Sequence, residues 1–206
     1  MAKRLPRKRT TSAQENRPAW MMPVIVTGVV VFVGALIFLL VQSSVPTETV
    51  AATATPFPEI EGVVQADVAP GREHDESIVY EFDGELPPWG GTHNPIWQNC
   101  GIYQNPLRTA NVIHSLEHGA VWLTYQPDLA QADVDALKEE IRNENYMIMS
   151  PYPEQPSPIV LTAWGVQLEL ETPTDPRIRE FIDLYEEGPQ TPEPGGACTG
   201  GLSFSG

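Results

Sequence analysis

The stretch Ala110–Tyr125 reads ANVIHSLEHGAVWLTY, and its two halves obey different rules. Ala110–His118 suits a short helix that stops at Gly119, a residue that ends helices by taking a left-handed backbone. Ala120–Tyr125 (AVWLTY) is then a strand, being short, apolar and rich in β-formers. Downstream, Asp128–Asn143 carries Leu129, Val134, Leu137 and Ile141 near helical spacing with charges between them. Tyr146–Met149 and Ile159–Glu171 read as strands, the second bent at Gly165. Asp175-Pro176 opens a last helix with an N-cap and a first-turn proline, and Gly188 closes it. Upstream, Ile78–Asp83 (IVYEFD) alternates like a strand, while Leu86–Pro106 is crowded with Pro, Gly, Trp and Asn and reads as a long ordered loop. This order predicts an α+β domain: a small, mainly antiparallel sheet with two or three packed helices, preceded by one N-terminal transmembrane helix.

The N-terminal expectation rests on residues 1–58. Lys3, Arg4, Arg7, Lys8, Arg9 and Arg17 lie in a basic tail over residues 1–19, and residues 20–42 follow as an apolar anchor without a charge. Pro23–Val41 spans nineteen residues, close to the ~20 that cross a hydrocarbon core as a helix. Trp20 sits where an interfacial anchor belongs, and Pro23 falls in the first turn, where a helix tolerates proline. Basic residues precede the span and none follows it closely, so the N-terminus is expected in the cytoplasm with the domain outside. The competing reading is a cleaved signal peptide, for which Ala52 and Ala54 supply an A-x-A-like site; the apolar core exceeds the usual 7–15 residues. Residues 43–58 form a Thr/Pro-rich stalk, and residues 59–206 the extracytoplasmic globular domain.

Charge divides at the span. Twenty-six of the 27 acidic residues and six of the 12 basic ones come after it, a net −20 for the exported part. Such a domain is a poor partner for nucleic acid or anionic lipid, and the expected contact with the membrane is through the single N-terminal helix, with any protein partner left open. The ordinary reading of this charge is solubility.

Chemistry concentrates in the histidines. His93, His114 and His118 fall within twenty-six residues, and His114 and His118 stand at i and i+4 on one helix face, with Glu117 beside them. His93 lies in the loop PPWGGTHNP, which can fold back over that helix; His74 lies outside the cluster, near the start of the domain. Three converging imidazoles suit zinc or copper. The competing role is structural, with each ring bonded to a loop carbonyl. His114–His118 also spells H-x-x-E-H, the inverted zinc-protease motif with Glu117 as general base, and Glu180, Glu186 or Glu187 as a third ligand. An early helix stop at Gly119 and the small domain count against that enzyme.

Cys100 and Cys198 form an even pair, most simply a disulfide closing about a hundred residues, worth up to ~4.7 kcal/mol in the chain-entropy model. The alternative makes Cys100 a soft metal ligand. Met147 and Met149 share a strand face and, like Trp89, Trp97, Trp122 and Trp164, are expected in packing.

The segments PPWGGTHNPIWQNCGIY, HSLEHGAVWLTY and SPYPEQPSPIVLTAWG, with the tail GPQTPEPGGACTGG, resemble a bacterial membrane-anchored family catalogued as domain of unknown function 3105. The resemblance covers most of residues 78–200 and places His93, Cys100, His114, Glu117, His118 and Cys198 inside the family's motifs. It implies an exported or anchored domain and no particular activity. The expected function is a membrane-tethered extracytoplasmic domain that binds a transition metal through His93, His114 and His118. A zinc-dependent hydrolase using the HSLEH segment, or a non-catalytic structural or interaction module, are the alternatives, and binding is expected over catalysis.

Overall fold

The strand Val121–Tyr125 lies at the middle of a six-stranded sheet and is buried on both faces. A computed structural model describes residues 59–67 and 69–204 of the chain. In chain order the elements are β1 (Val64–Gln65), β2 (Gly101–Ile102), α1 (Thr109–Glu117), β3 (Val121–Tyr125), α2 (Gln131–Glu140), β4 (Met147–Pro151), β5 (Ile159–Ala163), β6 (Val166–Leu170) and α3 (Arg177–Tyr185). The sheet order is β1-β6-β5-β3-β4-β2.

The sheet is mixed, which corrects the mainly antiparallel expectation. β3 runs parallel to β4, and β4 parallel to β2, while β3–β5, β5–β6 and β6–β1 are antiparallel. The cause is α2. A helix between two neighbouring strands returns the chain to the edge it left, so β3 and β4 point the same way. The expected bend at Gly165 is instead a reversal: Ala163 pairs with Val166 across a two-residue turn, and Gly165 takes the positive φ of 67° that the turn demands. IVYEFD forms no ladder. Its alternation is real, with Tyr80 and Phe82 packed inward and Val79 exposed, but it arises from side-chain packing on the core rather than from strand pairing.

Helices cover both faces of the sheet. Val121, Leu123, Met147, Met149 and Leu161 face α2 (Val134, Leu137) and α3 (Ile178, Phe181, Ile182). Trp122 and Ile148 face the other way, onto Val112, Ile113 and Leu116 of α1. Among the described residues no helix is long and apolar enough to cross a membrane, and the span expected at residues 20–42 lies outside them.

Candidate metal centre

Every residue of α1 is buried, including its polar ones. A helix with a polar face can sink this far only if that face finds partners. The loop at residues 91–99 supplies them. Asn111 Nδ2 donates to Ile96 O (2.5 Å), Ser115 Oγ donates to Gln98 O (2.7 Å), and Gln98 N donates to Asn111 O (3.0 Å). The helix ends at Gly119, whose φ of 109° turns the chain sharply into β3. A Cβ there would lie 3.0 Å from the backbone of Glu187. Folded in this way, the loop carries His93 onto the helix beside His114 and Glu117.

His74 arrives by a second route. Residues 71–75 run alongside 91–93, with His93 N bonded to Glu73 O (2.9 Å) and Asp75 N to His93 O (2.8 Å). The rings of His74 and His93 come within 4.5 Å between centroids. One ligand atom from each of His74, His93, His114 and Glu117 lies within 4.8 Å of every other. Of the three histidines expected to share an ion, two are in this group. His118 stands next to it, with its Nε2 3.1 Å from Nε2 of His114. Sequence reasoning placed His74 apart; the signal for including it was that histidine is scarce, with only four in the chain, all of which meet here.

The hydrogen bonds fix which ring nitrogens carry protons. Nδ1 of His93 lies 2.8 Å from Gly91 O, Nδ1 of His114 lies 2.7 Å from Asn94 O, and Nδ1 of His118 lies 2.7 Å from Ala197 O. A carbonyl only accepts, so each Nδ1 must donate, and in a neutral ring Nε2 is then a bare lone pair. Nε2 of His93 faces the Glu117 carboxylate at 3.1 Å, and Nε2 of His114 faces Nε2 of His118. Neither contact contains a donor while the rings are neutral. Backbone carbonyls holding the far nitrogen of each ring are the usual support of metal-ligating histidines.

Electrostatics favour the same state. Burial holds the His114 pKa below its ordinary value, reinforced by His118 and His93 and opposed by the Asn94 hydrogen bond, so the ring is neutral near pH 7. Burial pushes the Glu117 carboxyl up, but the Arg72 hydrogen bond and charge oppose it and the pKa stays low, with His93 adding to this only when its ring is protonated. Arg72 Nε takes Oε1 of Glu117 at 2.5 Å, which leaves Oε2 facing His93 (3.1 Å) and His74 (3.8 Å). The group therefore presents imidazole nitrogens and one ionised carboxylate oxygen.

The fit to a hydrolase is poorer. Glu117 is occupied by Arg72 and His93. Of the proposed third ligands, Glu186 accepts the backbone N–H groups of Asn145 and Tyr146, and neither Glu180 nor Glu187 belongs to the cluster. Cys100 is not a ligand, because it is bonded to Cys198 across a Cα–Cα distance of 5.3 Å.

No curated protein and no solved structure shows significant similarity to the chain. Residues 72–200 match a family described as Protein of unknown function (DUF3105), a span that contains all four histidines, Glu117 and both cysteines. The chain belongs to the DUF3105 family.

Proposed function

We propose that the domain binds a divalent transition-metal ion, zinc or copper, through His74, His93, His114 and Glu117. The observation that carries this reading is the convergence of one ligand atom each from His74, His93, His114 and Glu117 within 4.8 Å of one another, with backbone carbonyls holding the Nδ1 protons of His93 and His114 so that their Nε2 atoms are lone pairs. Neutral imidazole and carboxylate suit both ions. Ligands about 2.0–2.1 Å from a tetrahedral ion sit about 3.4 Å apart, so a group whose ligand atoms lie within 4.8 Å of one another contracts by up to about 1.4 Å at its widest. His74, whose side chain is half-exposed, is the least confined of the four. Four protein ligands fill a tetrahedral zinc site, which favours holding the ion over activating water.

Zinc or copper added to the purified domain is expected to raise its melting temperature, and metal analysis should find about one ion per chain. His93→Ala and His114→Ala should each abolish the shift. An unchanged melting temperature with both metals, at saturating concentration, would overturn the proposal.

We further propose, on the sequence, that the domain works outside the cytoplasmic membrane, tethered by the apolar stretch at residues 20–42. The Cys100–Cys198 bridge supports an oxidising setting. A reporter fused at the C-terminus should be active outside the cytoplasm and sediment with membranes; cytoplasmic activity would refute the placement.

A further inference from the structure

We infer that the Cys100–Cys198 disulfide gates the metal site: closed, it clamps the C-terminal tail over Glu117 and His118, and its reduction by a dithiol weakens metal binding. The inference rests on the metal reading above and concerns how that site is regulated.

The tail reaches the site at four points. Glu193 N donates to the backbone carbonyl of Glu117 (3.0 Å). The Glu193 carboxylate accepts from Arg72 Nη2 while Arg72 Nε donates to Glu117. Ala197 O accepts the Nδ1 proton of His118 (2.7 Å) and so sets that ring's tautomer. Gly196 lies flat on the same ring, where an added Cβ would fall 2.5 Å from its Cγ and Cδ2.

The bridge is the covalent anchor of this segment. After Tyr185, Cys198 is the only buried hydrophobic side chain among the described residues. The remaining ties are polar: Cys100 N to Cys198 O (2.8 Å), Tyr146 OH to Gly196 O (2.8 Å), the Arg72–Glu193 ion pair and, beyond Cys198, Asn99 N to Leu202 O (2.8 Å) and Leu202 N to Trp97 O (2.9 Å). The bridged residue directly follows Ala197, so opening the disulfide removes the covalent tie next to the carbonyl that orients His118 and leaves hydrogen bonds alone to hold it.

The chemistry balances with a dithiol. One of its thiolates attacks a bridge sulfur, the other cysteine leaves as thiolate, and the second thiol closes the reagent into its own disulfide. Two electrons and two protons pass to Cys100 and Cys198. Of the groups released, Glu193 backs the ligand Glu117 through Arg72 and the Glu117 carbonyl, while Gly196 and Ala197 hold His118, whose Nε2 lies 3.1 Å from that of the ligand His114. Loss of such outer supports costs about 10–100-fold in metal affinity.

The test titrates zinc into the full chain with the bridge formed, into the chain reduced by a non-chelating phosphine, and into Cys100→Ser/Cys198→Ser, which has no thiols of its own to bind zinc. Both bridge-free forms should bind at least tenfold more weakly, and Gly196→Ala should weaken binding similarly with the bridge intact. Equal affinity in the bridged and bridge-free forms would sink the gate while leaving the metal site standing. Absence of binding by the bridged wild type overturns the site and the gate together. If the double variant does not fold, Gly196→Ala decides, and an affinity within twofold of wild type refutes the gate.

Discussion

Replacing Glu117 by Gln separates a metal centre from a purely structural histidine cluster. The side chain is fully buried, so the substitution keeps the volume and changes only charge and hydrogen bonding. With Nδ1 of His93 donating to Gly91 O, a neutral His93 presents a lone pair at Nε2. The glutamine amide can donate to that lone pair across the 3.1 Å contact, while its carbonyl still accepts from Arg72. The metal-free variant should then stay within about 1 kcal/mol of wild type, since a buried charge is also removed. For a domain of this size that is a shift of roughly 2–4 °C or less. If instead His93 is an imidazolium paired with Glu117, the variant loses a charged hydrogen bond worth about 1.5–3 kcal/mol. Metal sharpens the contrast. At a free zinc concentration about 100 times the wild-type Kd, wild type gains about 2.7 kcal/mol, or roughly 5–11 °C. A hundredfold loss of affinity in Glu117→Gln cuts that gain to about 0.4 kcal/mol. The assay is thermal unfolding by circular dichroism with and without zinc. A variant that is destabilised without metal yet keeps the full zinc increment would refute the reasoning.

Three further outcomes follow from the geometry. His74→Ala, at a half-exposed ring, should change metal-free stability by no more than about 0.5 kcal/mol but weaken zinc binding in a titration. Metal-free stability should fall with acid in two windows. His114, whose folded pKa is depressed, protonates first in the unfolded chain, so stability declines below about pH 6.5 until the folded pKa is passed. Glu117, also depressed, contributes stability above its unfolded pKa of about 4.3 that is lost as pH falls through the lower folded value. Urea midpoints taken at closely spaced pH should show the first window vanish in His114→Asn. Gly119→Ala should destabilise by more than about 1 kcal/mol, because its φ is positive and its Cβ would press on the Glu187 backbone; denaturant unfolding measures it.

Local punctuation was legible. Gly119 and the apolar run after it placed the α1–β3 boundary within a residue or two, whereas at α3 the N-cap position falls on Pro176, one residue after the expected Asp175, which still accepts the Arg177 N–H (2.9 Å). Strand pairing was not legible, because a strand's sequence records which faces are covered and not which neighbour lies beside it. One clue was available: VWLTY and IVLTA lack polar alternation, as strands buried on both faces do. IVYEFD misled for the complementary reason, since alternation needs only one buried side and no ladder. At the site, the helical spacing of His114, Glu117 and His118 was readable, but their division of labour was not. The i, i+4 interval puts His114 and His118 together, whereas the loop fold gathers His74 and His93 around His114 and Glu117.

The complete burial of α1 bears on how the molecule breathes. Its amides are enclosed by the sheet, the loop and the tail, and should exchange with solvent only when the domain opens globally. Residues 69–83 have mostly exposed, irregular backbone and should exchange many orders of magnitude faster. An ion held by both His74 and His114 would link the slowest-exchanging segment to one of the fastest. Metal would then act as a staple, and its imprint in a hydrogen-exchange map would fall on residues 71–75 and hardly at all on the helix that supplies two of the ligands.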